Sequence, residues 1–237
     1  MARRPPRQSG DDHGPRSEPT PRPGGGVREL TWLDPALDAE YRTAVDAVAG
    51  RIERSLGPEV FAVRAQPGAD GWRPAPWRPA LVAWRRSLAA VIREPGDGTT
   101  FAVADVRDCY ASIAAEMIGD LLGPEAAHAV AVLRRVRDHG VRGLPVGPEP
   151  SAILANAALS RLDHAIRDSG VHHLRWVDDM VLWGSPAQIR RALAALAAAA
   201  AAVGLELHDG KTAILGDRRE LRATALGRPV SSIIAAP

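Results

Sequence analysis

The chain contains 237 residues, of which 46% are hydrophobic and 24% are charged, and its formal net charge is +2. This length and balance predict a soluble globular protein with one substantial core, or one core and a small appendage. The single cysteine, Cys109, excludes an internal disulfide and a thiolate zinc cluster. Because the start of the chain is polar and its most apolar run, 192–205, is too short to cross a bilayer, we expect a cytoplasmic protein.

Charge is distributed unevenly along the chain. Residues 1–28 contain six arginines and three acidic residues, whereas the remainder contains 24 basic and 25 acidic residues. The net charge therefore says little about the folded part. All basic residues except Lys211 are arginines, so this position is a candidate for a task that arginine cannot perform.

The local sequence predicts an α+β domain. Residues 1–26 are rich in proline, glycine, arginine and serine, and we expect them to be disordered. Beyond them, helices alternate with short strands, and two late hairpins predict a small antiparallel sheet backed by helices. In chain order, the predicted elements are a helix over 37–56, a short strand or extended piece over 58–65, a helix over 78–93, a buried strand over 99–106, helices over 111–122, 125–139 and 151–169, a hairpin over 173–184, a helix over 185–203 and a hairpin over 205–215.

One helix start carries a specific signal. Ser185 is followed by Pro186 and, three residues after the serine, by Gln188. This order matches a capping box with proline at the first helical position. Gly204 supplies the matching stop signal, so the sequence predicts both ends of this helix.

Two adjacent aspartates, Asp178 and Asp179, lie between the apolar runs of the first predicted hairpin. Like charges side by side raise each other's pKa and resist desolvation unless a cation lies between them. One interpretation is a tight turn, because aspartate tolerates the left-handed conformation that two-residue hairpins need. The other interpretation is a metal site. Taken alone, the pair favours the turn.

A third aspartate, Asp105, lies at the end of the buried strand over 99–106. If this strand and the first hairpin are neighbours in one sheet, Asp105 converges on Asp178 and Asp179, as a pair of Mg²⁺ ions requires. Two such ions stabilise the attacking and leaving oxygens of a phosphoryl displacement. Spacing alone does not establish that the strands are neighbours.

Four segments resemble the palm motifs of reverse transcriptases in their order and approximate separation. They read FAVADVRDCYASI, GLPVGPEPSAILAN, RWVDDMVLW and GLELHDGKTAIL. The stretches VREL and VFAVR are similar to the fingers segments of that family, and LPVGPEPS is similar to bacterial members linked to phage defence. The resemblance implies a polymerase palm over 101–237, partial fingers over 27–100 and no recognisable thumb.

The resemblance assigns roles to the charged candidates. It implies an RNA-directed DNA polymerase, a nucleotidyltransferase that adds dNTPs to a primer 3′-hydroxyl with two Mg²⁺ ions, or alternatively Mn²⁺. Asp105, Asp178 and Asp179 would bind the metal ions. Lys211 would protonate the leaving pyrophosphate, which arginine effectively cannot do. An exposed hairpin lysine is the alternative for Lys211.

A second set of residues is expected at the incoming nucleotide. Tyr110 would lie beneath the sugar and clash with a 2′-hydroxyl, although a core aromatic is the alternative. Gly147, Ser151 and Asn156 would shape the floor under the base pair, although glycine in this loop is also typical of a turn. Arg28 and Arg64 would hold triphosphate or template, and surface salt bridges are the alternative for them.

A basic segment at 71–93 contains five arginines, three of the six tryptophans and no acidic residue. Arginines here could follow a phosphate backbone while a tryptophan stacks on bases. The alternative is a core tryptophan among solvated arginines. The candidates for nucleic-acid binding are Arg78, Arg85, Arg86, Trp72 and Trp77.

Three functions therefore stay open. The chain is an RNA-directed DNA polymerase, a phage-defence-type enzyme making untemplated or self-primed DNA, or an inactive palm that binds nucleic acid or serves in assembly. The expected partners are an RNA template, a DNA or RNA primer and dNTPs, and no membrane. A partner protein, a structured RNA or self-association would supply the missing thumb. Trp176 and Val146, where many members have tyrosine and glutamine, put nucleotide affinity in question.

Overall fold

The computed structural model describes residues 14–21, 27–94, 96 and 98–226, and every structural statement below concerns this part of the chain. The helices are α1 (Pro35–Ser55), α2 (Trp77–Arg93), α3 (Cys109–Ser112), α4 (Ala115–Leu122), α5 (Ala127–Asp138), α6 (Glu149–Asp168), α7 (Pro186–Ala202) and α8 (Arg218–Leu221). The strands are β1 (Arg16–Pro21), β2 (Val27–Trp32), β3 (Val60–Ala62), β4 (Ala65–Gly68), β5 (Gly71–Pro74), β6 (Thr100–Ala104), β7 (His172–Trp176), β8 (Asp179–Gly184) and β9 (Ala213–Leu215).

A five-stranded sheet in the order β3-β7-β8-β6-β9 forms the centre of the fold. β8 pairs antiparallel with both β6 and β7, β9 pairs antiparallel with β6, and β3 adds a parallel edge strand beside β7. The predicted α+β architecture is confirmed, with one parallel strand added to the antiparallel core of the sheet. Because β6 and β8 are neighbours, the end of β6 lies beside the β7–β8 turn.

Helix α6 packs against α1, α4 and α7, and the buried faces of these helices enclose one apolar core over the sheet. Local signals set the helix starts. The Asp34 side chain accepts the backbone N–H groups of Ala36 and Leu37 at the start of α1. At α7, the predicted capping box between Ser185 and Gln188 is present with both of its hydrogen bonds. Within the described ranges, no helix is long and apolar enough to cross a membrane.

The predicted disorder over 1–26 is wrong for Arg16–Pro21. This segment forms β1 and pairs antiparallel with β2. The resulting hairpin is held to the rest of the chain because the Thr31 N–H donates to the Val146 carbonyl at 2.7 Å. Backbone pairing and docking thus outweigh a composition typical of disorder. The rest of the predicted tail, 1–13 and 22–26, lies outside the described residues.

The predicted second hairpin is also wrong. β9 pairs with β6, and the segment before it makes one isolated bridge, between Leu207 and Val106. β6 leaves one edge open after pairing with β8, and this edge takes up β9. The Lys211 and Thr212 N–H groups turn back onto the His208 carbonyl, so the turn predicted at this point is retained without a hairpin ladder.

Candidate active site

Three aspartates meet where β6 ends and β8 begins. Asp105 directly follows β6 and is 3% exposed, whereas Asp179 is the first residue of β8 and is half-buried. The register in which Ala104 is opposite Met180 brings Asp105 level with Asp179. Asp178 precedes β8 in the turn. The sheet therefore brings together the carboxylates that the sequence predicts at one site.

The β7–β8 turn does not depend on an aspartate for its backbone shape. Trp176 pairs with Asp179, so Val177 and Asp178 are the two turn residues. The residue with a left-handed backbone is Val177, whose φ is 54°. A positive φ is strongly disfavoured for a β-branched residue. The need for a left-handed residue therefore does not explain the aspartate pair, and this favours the ligand interpretation over the turn interpretation.

The electrostatics show that the carboxylates act on one another. The Oδ1 atom of Asp178 is buried and has no hydrogen-bond partner among the described residues. Burial, and then the neighbouring carboxylates of Asp179 and Asp105, raise the pKa of Asp178 from 3.8 to about 7, although Lys211 opposes the shift. Asp178 therefore holds its proton more tightly than an exposed aspartate does, first because of burial and then because two carboxylates are close to it.

The single lysine of the chain lies at this cluster. The Lys211 ammonium donates to Oδ2 of Asp105 at 2.8 Å. The backbone supports this arrangement, because the His208 N–H donates to the Asp105 carbonyl at 2.8 Å. Because the Lys211 side chain stays 42% exposed, it is accessible to solvent as well as to the carboxylates.

The donor set fits a hard divalent cation, although the present geometry is not that of a bound ion. In the part of the chain that the structure describes, no group of three or more His, Cys, Asp or Glu side chains is arranged to hold a metal ion. The oxygen ligands of Asp105, Asp178 and Asp179 are of the type that Mg²⁺ prefers. The orphaned Asp178 oxygen and the ammonium on Asp105 are both consistent with a position that takes up positive charge.

Tyr110 lies within the core next to this cluster. Its side chain is 5% exposed, and its hydroxyl has no hydrogen-bond partner in the described ranges. Burial, and then Cys109 and Asp178, hold the pKa of Tyr110 well above its ordinary range, whereas Arg28 lowers it. Arg28, in β2, is therefore close enough to act on Tyr110, so two of the predicted nucleotide residues are brought together.

Gly147 lies in a loop that contacts the β1–β2 hairpin. Its φ is 126°, and a Cβ atom at this position would lie 2.9 Å from the carbonyl oxygen of Thr31. Both the backbone conformation and the close approach require glycine. The loop before α6 is thereby held against β2.

Ser151 and Asn156 are buried within the helix packing. The hydroxyls of Ser151 and Tyr41 are 3.1 Å apart and hydrogen-bonded. The Asn156 side chain donates to the Val63 carbonyl at 3.0 Å and accepts from Arg175 at 2.9 Å. Since both polar side chains have internal partners, a direct side-chain contact with a nucleotide is not what their surroundings favour.

Arg64 is engaged away from the carboxylates. Its Nε atom donates to Glu53 at 2.7 Å, and its Nη1 atom donates to the carbonyls of Gly57 and Val60 at 2.8 and 3.2 Å. These contacts match the salt-bridge alternative, because the guanidinium closes the turn between α1 and β3.

One exposed face of α2 carries arginines without acidic partners. Arg78, Arg85 and Arg86 are exposed, and none of them forms an ion pair with the described residues. The Arg78 guanidinium lies over the Trp77 ring at 5.5 Å from its centroid. We call Arg78, Arg85 and Arg86, with Trp77, the α2 basic face.

The other tryptophans near this face are packed inward. Trp72 packs on α1, where a Cβ at Gly50 would approach its ring at 2.7 Å, and the backbone N–H of Trp72 donates to Asp46. The Trp84 ring centroid lies 5.9 Å from that of Trp176 in the core. Trp72 is therefore engaged in packing within the protein, whereas base stacking at Trp77 stays a prediction.

The sequence reasoning missed a buried polar group next to the turn. Arg175, Asp163 and His173 are all within the core, at most 4% exposed. Although burial opposes the shift, Arg175 and His173 lower the pKa of Asp163 to about 2. The available signal was an arginine between Leu174 and Trp176 on a strand that is otherwise apolar at its centre.

One family of known proteins matches most of this chain. A family model described as reverse transcriptase (RNA-dependent DNA polymerase) matches residues 39–227. The matched range includes all three aspartates and Lys211. Among curated proteins, no sequence matches the chain.

Proposed function

The chain belongs to the reverse transcriptase family, and from this premise we propose that it is an RNA-directed DNA polymerase that extends a primer 3′-hydroxyl with dNTPs. The family supports nucleotidyl transfer in general. The observation that carries the finer proposal is the meeting of Asp105, Asp178 and Asp179 beside Lys211 at one end of the sheet.

The carboxylates are proposed to hold two Mg²⁺ ions, with Mn²⁺ as a substitute. When bound, such ions would activate the primer hydroxyl and neutralise charge on the leaving pyrophosphate. Asp105, which pairs with Lys211, would contact a metal ion in place of this ammonium. A cation beside Asp178 would favour its charged form, so the raised pKa of Asp178 would fall back toward the ordinary value.

Lys211 is proposed to donate a proton to the pyrophosphate oxygen. An ammonium released from Asp105 would still lie at the edge of the cluster, where the triphosphate must be placed. Lysine can lose a proton in the pH range of the reaction when its surroundings favour it, and arginine effectively cannot. The role therefore gives a chemical reason for the only lysine in an arginine-rich chain.

Around these groups, Tyr110 is proposed to select the sugar and Arg28 to hold the triphosphate or template. Gly147 is proposed to shape the floor under the base pair. Ser151 and Asn156 would contribute to that floor indirectly, by fixing the start and middle of α6.

The α2 basic face is proposed to bind the phosphate backbone of template or primer. Its arginines are exposed and have no acidic partner within the described ranges, so phosphates would not have to displace an existing ion pair. Trp77 offers a ring for a base at the same place.

The test is extension of an oligo(dT) primer on poly(rA) by the full chain, with dTTP and Mg²⁺. The wild type is compared with Asp105→Asn, which keeps the size of the side chain, and with Asp120→Asn, an exposed acid on α4. We expect template-dependent extension by the wild type and by Asp120→Asn, and background levels from Asp105→Asn.

The remaining outcomes separate the alternative functions. Equal synthesis with and without poly(rA) would favour a defence-type enzyme that makes untemplated or self-primed DNA. Tight nucleic-acid binding by the wild type without any dTTP incorporation, in Mg²⁺ or Mn²⁺, would overturn the proposal in favour of an inactive palm.

A further inference from the structure

A fully buried arginine lies directly beneath the β7–β8 turn. Arg175 is 0% exposed. Its Nη1 atom donates to the carbonyl of Val177 at 2.8 Å and to Oδ1 of Asn156 at 2.9 Å. Its Nε and Nη2 atoms each donate to a different oxygen of Asp163 at 2.8 Å. One side chain thus joins the catalytic turn to the central helix α6.

The same contacts extend to the edge of the sheet. His173 lies within hydrogen-bond distance of Asp163, with its Nε2 atom 3.1 Å from Oδ1. Asn156 donates in turn to the carbonyl of Val63, the residue that follows β3. We call Arg175, Asp163, His173 and Asn156 the turn-support network.

Stability alone is a weak explanation for this network. Burial of an ion pair costs desolvation that the pairing recovers only with excellent geometry, and apolar residues of similar volume often stabilise a core equally well. The geometry here leaves Arg175 bound on all three of its nitrogens. Arginine is the side chain that can bind a carboxylate with two nitrogens and still present a donor to a backbone carbonyl.

The hydrogen bond from Arg175 to the Val177 carbonyl has a consequence for the turn. Val177 has the disfavoured left-handed backbone, and it is adjacent to Asp178. A hydrogen bond from a rigid, fully buried donor opposes relaxation of the Val177 peptide toward an ordinary conformation. Any such relaxation would rotate the following residue and displace its carboxylate.

We propose that Arg175, oriented by Asp163, is a positioning residue that holds the Val177 carbonyl and thereby places Asp178 for the reaction. Its effect on activity rests on the proposed polymerase function, whereas its effect on the turn does not. Arg175 touches neither substrate nor reacting atoms in this arrangement. It acts through the turn backbone.

The test removes both charges together, because a lone buried charge would unfold the core. Arg175→Met combined with Asp163→Asn leaves a neutral pair and keeps an oxygen for His173. Arg167→Met combined with Glu59→Gln is the control, because it removes another ion pair, 3.2 Å long, between α6 and the residue before β3, and it leaves the backbone hydrogen bond from the Arg175 N–H to the Glu59 carbonyl in place. Arg175→Lys keeps the ion pair but cannot reach Asp163 and Val177 together.

Three quantities are measured on each full-length variant: the unfolding temperature, the steady-state constants for dTTP, and hydrogen exchange of the peptide that covers the β7–β8 turn. For the neutral double variant we expect a folded protein, a kcat lowered about 10- to 100-fold and a KM changed less than about threefold. Relative to the wild type, hydrogen exchange should accelerate more at the β7–β8 turn than at β6. Arg175→Lys should lie between this variant and the wild type.

Wild-type kcat together with wild-type exchange at the turn in the folded double variant would overturn the inference. If the double variant does not fold, Arg175→Lys decides, since an unchanged kcat and unchanged turn exchange there would overturn it equally. If the wild type itself does not polymerise, the proposed function fails, and turn exchange alone still decides whether Arg175 holds Val177.

Discussion

The Nζ atom of Lys211 lies 2.8 Å from Oδ2 of Asp105, although the two residues are 106 positions apart in the chain. The only lysine therefore neutralises a carboxylate that lies in the same electrostatic cluster as Asp178. A metal ion and this ammonium would compete for Asp105. A substitution at Lys211 changes the ammonium in this competition, whereas a substitution at Asp178 changes the binding of the metal ion.

Lys211→Arg should slow the chemical step by roughly 100- to 10,000-fold, the range of general-acid effects. Arginine keeps the positive charge and can still pair with Asp105, but it is no usable proton donor. Single-turnover incorporation with a saturating dNTP isolates this step. Equal rates for the two proteins would show that Lys211 contributes only its charge.

Asp178→Asn should abolish polymerisation and stabilise the metal-free fold by ~1–2 kcal/mol, because it removes a partly buried charge that the neighbouring carboxylates repel. The folded-state pKa of about 7 lies above the ordinary 3.8, so the folded protein binds the Asp178 proton more tightly than the unfolded chain does. The stability that this proton provides is fully present at a pH below the ordinary pKa and is lost as the pH rises toward 7.

Thermal unfolding in EDTA between about pH 4 and pH 8 measures this difference. The wild type should lose stability through this window more steeply than Asp178→Asn, and Mg²⁺ added in place of EDTA should raise the unfolding temperature of the wild type, but not that of Asp178→Asn, at the alkaline end. Asp120→Asn serves as the control and should follow the wild type. Parallel pH profiles for all three proteins would contradict the raised pKa.

Tyr110→Val should raise ribonucleotide incorporation relative to deoxyribonucleotide incorporation, because the space beneath the sugar widens. Tyr110→Phe is the matched control: the hydroxyl has no hydrogen-bond partner among the described residues, so its loss should cost neither stability nor selectivity. Competition between UTP and dTTP on poly(rA) gives the ratio. An unchanged ratio in an active Tyr110→Val enzyme would remove Tyr110 from the nucleotide site.

Gly147→Ala should destabilise the protein by ~1–3 kcal/mol and raise the KM for dNTP, because the new Cβ meets the Thr31 carbonyl at 2.9 Å. Gly140→Ala separates the two causes of this loss. Gly140 also has a positive φ, 88°, but a Cβ there meets nothing within 4 Å. Equal unfolding temperatures and equal KM values for the two variants would show that the contact with β2 is unimportant.

Arg85→Gln combined with Arg86→Gln should weaken primer–template binding and reduce its salt dependence. The slope of log K against log salt is negative, and each phosphate that the protein no longer neutralises reduces the magnitude of this slope by about 0.7–0.9. The control is Arg190→Gln combined with Arg191→Gln, an arginine pair on α7. Fluorescence anisotropy at several salt concentrations gives both slopes, and identical slopes would exclude the α2 basic face.

Much of the site could be predicted before its geometry was known. The buried strand before Asp105, the hairpin around Asp178 and Asp179, and the isolated Lys211 are local patterns that need no knowledge of distant contacts. Apolar periodicity and capping residues likewise set the helices, because these signals act between residues a few positions apart. Local sequence is therefore sufficient to specify which chemical groups the site contains.

The support of these groups depends instead on contacts that form when the chain packs. The left-handed turn residue is Val177, and its carbonyl is held by Arg175, whose orientation depends on Asp163 in a helix twelve positions earlier. Arg64 pairs with Glu53 for a similar reason. A polar side chain takes its role from whichever partners the packed chain brings within about 3 Å, and no local pattern in the sequence encodes that choice.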